Sequence, residues 1–147
     1  MTPWIAGYAA LVATAAFLWQ VYLWRQNQKP RVSVKLSTAI PINPQVRRGD
    51  EWLQITVING NDYSIRVSSA GIYLQDGSGR QVVATASYLP MATLPGDIRP
   101  HDSGFTYLVR QELEREQLFN PYGPVEAWAI LGDDKRVESK AVVLFKK

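Results

Sequence analysis

Few side chains in this sequence have the type and spacing that chemistry requires. His101 is the one histidine, and in Gly96-Asp97-Ile98-Arg99-Pro100-His101-Asp102 it has carboxylates four residues before it and one after. Such a trio could hold a metal ion or let the imidazole serve as a general base. A metal wants three or four converging ligands, and this stretch supplies three at most. A base needs a nucleophile to serve, and no Gly-x-Ser-x-Gly element occurs. The expectation is a solvated loop ahead of a strand.

The other candidates read the same way. Gly77-Ser78-Gly79 lacks the Lys-Ser/Thr of a phosphate loop and the strand-to-helix setting, so it reads as a hairpin turn. Asp133-Asp134 and Asp50-Glu51 are adjacent carboxylates, which diverge and do not flank one substrate. Arg48-Gly49-Asp50 spells an integrin-binding tripeptide, but between Pro44 and the next apolar run it reads as a turn. Glu112, Glu114 and Glu116 alternate with Arg110 and Arg115 as on a solvated helix face. With no cysteine there is neither a disulfide frame nor a thiolate ligand or nucleophile. The expectation is a protein without catalytic, cofactor-binding or metal residues, and not an enzyme.

The elements that must position these residues start from the charge. The 147 residues are 46% hydrophobic and 20% charged, with a net charge of +3. That is enough for one packed domain and speaks against wholesale disorder. None of the sixteen Lys and Arg residues precedes Arg25, and Arg25, Lys29, Arg31 and Lys35 then follow with no acid among them. From Leu36 to Lys147 twelve basic and thirteen acidic side chains are mixed, a formal balance of −1. No basic stripe interleaved with aromatics runs through this part, so nucleic acid is not an expected partner.

The residues before the charges explain them. Pro3 to Trp24 (PWIAGYAALVATAAFLWQVYLW) holds no ionisable acid or base, and only Thr14 and Gln20 are clearly polar. Twenty-two helical residues rise roughly 33 Å, the hydrocarbon thickness of a bilayer. Trp4 and Tyr8 stand towards one end, and Trp19, Tyr22 and Trp24 towards the other, as rings at both headgroup levels would. A cleavable leader would start with basic residues and have a shorter apolar run. The expectation is a short N-terminal tail and an uncleaved transmembrane helix over residues 1–24, a basic juxtamembrane linker over 25–30 and a β-sandwich domain over 31–147.

Basic flanks resist translocation, so Arg25, Lys29, Arg31 and Lys35 predict an outside N-terminus and a cytoplasmic domain at a bacterial inner membrane. They also favour anionic lipid headgroups. Within the helix, Ala6, Ala9, Ala10, Ala13 and Ala16 recur at three- and four-residue spacing. Small residues on one face let a second helix approach closely. A tolerant anchor filled with alanine would show the same pattern.

Beyond Pro30 the apolar period becomes two. Val32, Val34 and Leu36 alternate with Arg31, Ser33 and Lys35, and Leu53, Ile55 and Val57 alternate within Glu51 to Asn59. Further strands are expected at Ile65 to Gln75, with an irregularity near Ser68 to Gly71, and at Arg80 to Ala86, Gly104 to Val109, Val125 to Leu131 and Arg136 to Phe145. The last should place Val137, Ala141, Val143 and Phe145 on one face. Gln111 to Leu118 is helix-prone, with Leu113 and Leu118 as its buried side. The fold class is therefore mainly β: one N-terminal transmembrane α-helix, then a seven-strand immunoglobulin-like β-sandwich with one short helix. Trp52 and Trp128 are expected as core anchors of its two sheets. A linker of about six residues reaches no further than roughly 20 Å, which holds the sandwich close to the membrane surface.

The stretches LQITVINGNDYSIRVSSAGIYLQDG and VEAWAILGDDKRVESKAV, set behind a helix and a basic linker, resemble small bacterial single-pass membrane-anchored β-sandwich proteins over most of the chain. In architecture alone the order is also similar to single-helix accessory subunits such as the H subunit of photosynthetic reaction centres. These likenesses imply a non-catalytic accessory or assembly subunit of a larger membrane complex, photosynthetic or respiratory, with integral membrane subunits as partners. The alternative is a tethered adaptor that takes a soluble cytoplasmic partner on sandwich-end loops such as Tyr88 to Pro100.

Overall fold

The structure, a computed structural model, describes residues 3–27, 31–40, 51–74, 78–84, 92–116, 120 and 122–145. The chain divides after Pro30 into two compact units. The first is helix α1, Pro3–Asn27. Pro3 occupies the first turn, where its missing N–H is no loss, and no glycine or proline interrupts the helix after Gly7. The helix runs one turn past Trp24, so Arg25 is helical and not part of a linker. Residues Pro3 to Gln26 are long and apolar enough to cross a membrane.

The second unit is mainly β. Its strands are β1 (Val32–Ala39), β2 (Trp52–Asn59), β3 (Ile65–Tyr73), β4 (Gln81–Val83), β5 (Gly96–Ile98), β6 (Ser103–Val109), β7 (Pro124–Val125), β8 (Ala127–Leu131), β9 (Arg136–Glu138) and β10 (Val142–Val143). One short helix, α2 (Arg110–Arg115), follows β6 and buries Leu113 as expected. Leu118 lies outside the described residues. One sheet has the order β1-β2-β6, all antiparallel. A second has the order β4-β3-β8-β9, with β5 also paired to β3, and β7 pairs with β10.

Ten strands among the described residues replace the seven expected. Strand β5 was not anticipated; it is three residues long and carries one buried side chain, Ile98, too little to show a period. The two C-terminal segments each split in two, and the register explains why. Trp128 is opposite Glu138, but Val125 is opposite Val142, so the C-terminal strand holds one extra residue between those pairs. Ser139 sits at the start of this bulge, where its Oγ accepts the Ala127 N–H at 2.9 Å and its own N–H reaches the Ala127 carbonyl at 2.8 Å. A one-residue insertion reverses the alternation. Val137 and Phe145 pack against the core, whereas Ala141 and Val143 are exposed, which corrects the single face expected for the four. A second irregularity lies between Val67 and Ser69 in β3. Ile65 and Val67 are buried before it, and Ala70 and Ile72 after it.

Both sheets feed one buried cluster. Val34 and Leu36 of β1, and Leu53, Ile55 and Val57 of β2, meet Val67, Ala70 and Ile72 of β3 and Ala127, Ala129 and Leu131 of β8 in it. Full burial of each larger aliphatic side chain is worth about 1.5–3 kcal/mol. Trp52 and Trp128 are buried but stand outside this cluster. Each is one residue out of phase with the inward set of its strand, so each lies on the outer face of its sheet. Trp52 packs against Tyr107 in a tilted contact, with centroids 5.4 Å apart. Trp128 covers Gly71, where an added Cβ would come within 2.7 Å of the indole and 2.1 Å of the Val82 carbonyl. The expectation of tryptophans anchoring the shared core is corrected: they seal the two outer faces.

Candidate functional site

The structure gives His101 a partner that its sequence neighbourhood does not contain. His101 Nε2 lies 2.8 Å from Asp62 Oδ1, a residue of the β2–β3 turn, and both side chains are exposed. Asp102 turns its carboxylate to the Ser103 N–H at 2.8 Å, and Asp97 stands exposed in β5 opposite Arg66. Among the described residues no group of three His, Cys, Asp or Glu side chains converges on a metal position.

The paired carboxylates also separate. In the β8–β9 turn Asp133 holds Lys135 at 2.8 Å, while Asp134 sits in the left-handed region at φ 61°. The side-chain hydrogen bond from Lys135 holds the Asp133 carboxyl below its ordinary value. Glu51 pairs with Arg110, which also bonds Glu114 at 2.7 Å and lies 3.9 Å from the Phe145 ring centroid. Burial works against the Arg110 charge, but the hydrogen bonds it donates to Glu114 and Glu51 outweigh it and raise its pKa. Arg48-Gly49-Asp50 and Gly77 lie outside the described residues. Ser78 Oγ accepts from the Arg80 backbone N–H and from its Nε, both at 3.1 Å, which is turn chemistry.

The most buried polar group went unnoticed in the sequence. Asn59 has no exposed surface. Its Nδ2 donates to the carbonyls of Tyr63 (2.8 Å), Ile98 (3.2 Å) and Arg99 (3.0 Å). Its Oδ1 accepts the Asn61 backbone N–H and Nδ2, both at 3.0 Å. Asn61 Oδ1 in turn accepts the N–H of Arg31, the first residue of the β unit, at 2.8 Å. In the sequence, Asn59-Gly60-Asn61-Asp62 reads simply as a turn cluster. The inward parity of position 59, continuing Leu53, Ile55 and Val57, was the available clue.

On the outer face of the second sheet, Arg136 bonds the Tyr73 hydroxyl at 3.0 Å and Gln81 at 3.2 Å, and lies 5.1 Å from the Trp128 ring centroid. Tyr73 donates its hydroxyl to Glu138. That bond, with some burial, raises the Tyr73 pKa above its ordinary 10.0.

The membrane-related residues fall as follows. At 100° per residue, Ala6, Ala9, Ala10, Ala13 and Ala16 of α1 share an arc of about 120°. Trp4, Tyr8, Leu11, Val12, Leu18, Trp19 and Tyr22 occupy the opposite side, and Phe17 and Trp24 return to the alanine side and end the small stripe at Ala16. The aromatic rings Trp4, Tyr8, Trp19, Tyr22 and Trp24 are all exposed, and Trp19 and Tyr22 lie 5.9 Å apart. Thr14 gives its hydroxyl to the Ala10 carbonyl at 2.8 Å, which leaves no free donor on the helix at that point. Of the four basic residues, Arg25 is in α1, Arg31 and Lys35 belong to the β unit, and Lys29 lies outside the described residues.

In the first sheet the β1 edge is open among the described residues. Gly60 donates to the Arg31 carbonyl and Arg110 to that of Glu51, so even-numbered β2 residues bond β1 and odd-numbered ones bond β6. The N–H and C=O groups of Val32, Val34, Leu36 and Thr38 therefore point away from β2. Among the described residues no further strand pairs with β1. The opposite edge differs: Phe105 of β6 accepts from the Thr93 and Leu94 N–H groups and donates to Thr93 Oγ1. That places 92–98 along the sheets and not in a free sandwich-end loop; residues 88–91 of the expected binding loop lie outside the described ones. Beside β1 runs a groove of about 460 Å³, with Val32 to Leu36 on one side and Glu138, Ser139, Lys140 and Val142 on the other.

No known family model matches the chain, and no curated protein matches it. Among solved structures it is similar to the X-ray structure of Northeast Structural Genomics Consortium target SoR45, with 15% identity, a TM-score of 0.37, and coverage of 76% of this chain and 82% of that one.

Proposed function

We propose that this chain is a non-catalytic accessory or assembly subunit of a larger membrane protein complex, photosynthetic or respiratory. It is anchored by α1 with the N-terminus outside and the β unit on the cytoplasmic side of an inner membrane. The observation that carries the reading is the helix: a 24-residue apolar span with every large side chain except the half-buried Val21 exposed. Such a surface must be covered by lipid, by other membrane helices or by both. Arg25 at its end and the basic residues after it support the orientation and contact with anionic headgroups. The alanine arc on one side of the helix, opposite the bulky one, supports close packing against a neighbouring membrane subunit.

We read the β unit as an immunoglobulin-like sandwich held near the bilayer. The support is two antiparallel sheets that share one buried cluster. Four residues separate Asn27 from Val32 in the sequence, too few for a long reach.

Extraction in mild detergent with crosslinking tests the assembly. The expected result is a crosslinked complex with integral membrane proteins that Ala10→Leu and Ala13→Leu together weaken. Recovery as a free monomer, with both substitutions harmless, would overturn it. A reporter fused after Lys147 should read cytoplasmic, and an extracytoplasmic signal would reverse the orientation.

A further inference from the structure

We propose that the open edge of β1, with the groove beside it, receives an extended acidic and apolar segment of a partner protein as an added strand. The inference rests on the reading of the chain as an assembly subunit and names the surface its β unit would use. Three observations support it. The outward backbone groups of Val32, Val34, Leu36 and Thr38 form a ladder template eight residues long, and the other edge of the same sheet is already covered at Phe105. An added strand would hydrogen-bond that template. Its alternate side chains would enter the groove next to Val34, Leu36 and the exposed Val142.

Charge then selects the occupant. Lys35 and Lys140 line the groove, and neither has an ion-pair partner among the described residues. The one acid in the lining, Glu138, already accepts from Tyr73. A strand that places carboxylates near the two lysines and apolar residues between them complements this surface. A second copy of the chain does not. An isologous pairing centred on Lys35 sets that lysine against its own mate, and one centred on Val34 or Leu36 sets it against Ser33 or Ser37, so β1 offers itself no carboxylate in any register.

The test uses the full-length protein in neutral detergent and a fluorescent ten-residue peptide that alternates valine and glutamate. A valine and lysine peptide and a valine and glutamate peptide with a central proline are the comparisons. Anisotropy reads affinity and residue-resolved amide exchange reads the place. The acidic peptide should bind about tenfold or more tighter than either comparison, with the Val34 and Leu36 amides slowed on binding. Lys35→Glu with Lys140→Glu, both exposed, should invert the preference between acidic and basic peptides. Thr38→Pro, which spares the ladder to β2, should weaken binding. Equal binding of the acidic and basic peptides would overturn the proposal. So would protection away from β1, or a dimer that protects these amides without peptide. The crosslinking test of the helix uses a different surface, so either proposal can fail while the other stands.

Discussion

Replacing Asn59 by alanine is the sharpest test of how the β unit is held at the point where its chain begins. Nothing of Asn59 is exposed, and its two amide hydrogens are shared by three carbonyls while its oxygen takes two donors from Asn61. The Tyr63 and Arg99 contacts are only part-buried, so those carbonyls can turn to water. The Ile98 carbonyl and the two Asn61 donors are buried and lose their partner outright. Each stranded group costs about 1–3 kcal/mol, reduced where water fills the space left by the side chain. The sum expected is about 3–5 kcal/mol, a large part of the ~5–15 kcal/mol that holds a typical domain together. Freed from Asn59, Asn61 should also release Arg31, so amide exchange should rise at Arg31 ahead of the rest of β1. Urea unfolding of the full-length protein in micelles, followed by the circular dichroism of the β unit, measures the change. Asn59→Asp checks the cause: a buried carboxylate facing three carbonyls is held above the ordinary carboxylate pKa. A group raised in the folded state contributes stability at low pH that is lost as pH rises through its folded value. Asn59→Asp should therefore be least damaging in acid and worsen towards neutrality. A loss below about 1 kcal/mol for Asn59→Ala, with Arg31 exchange unchanged, would refute the reasoning.

Gly71→Ala places a methyl group against the Val82 carbonyl and the Trp128 ring; it should destabilise by about 2–4 kcal/mol in a thermal melt, while Gly7→Ala, with open space around it, should not. The Tyr73 phenol should titrate above 10.0 by ultraviolet absorbance because it donates to Glu138. Since the unfolded phenol ionises first, this bond's stability is present below pH 10 and lost above it. Glu138→Gln should bring Tyr73 down, whereas Tyr107, raised by burial alone, should stay where it is.

Much of the architecture was legible because it depends on local pattern. The charge-free run from Pro3 to Trp24 reads as a membrane-length helix by length and composition, and the period of two survives in the burial of β2 and β6 and in β1 as far as Leu36. What went wrong did so at bulges and at outer faces. The extra residue after Ser139 takes Ala141 and Val143 off the face of Val137, and a sequence shows no mark where a partner strand skips a residue. Trp52 and Trp128 were assigned inward from size, although the alternation of Leu53, Ile55 and Val57 already put Trp52 on the other side. A large aromatic can be buried outside a sandwich when neighbours on the same sheet cover it, as Tyr107 and Arg136 do.

The candidate site shows the same division. By itself the sequence determined the apolar helix, the confinement of surplus positive charge to Arg25 through Lys35, and a neutral β-rich remainder, because composition and period are carried by neighbouring residues. Tertiary structure alone decided that His101 meets Asp62, that Asn59 gathers three separate segments, and that β1 keeps an open edge while β6 does not. Each of these joins residues about 30 or more apart or depends on which strand lies at a sheet's margin. Hydrogen-bond partners and sheet order are set by how the layers pack around Leu53, Ile55 and Ala129, and no local spacing records that packing.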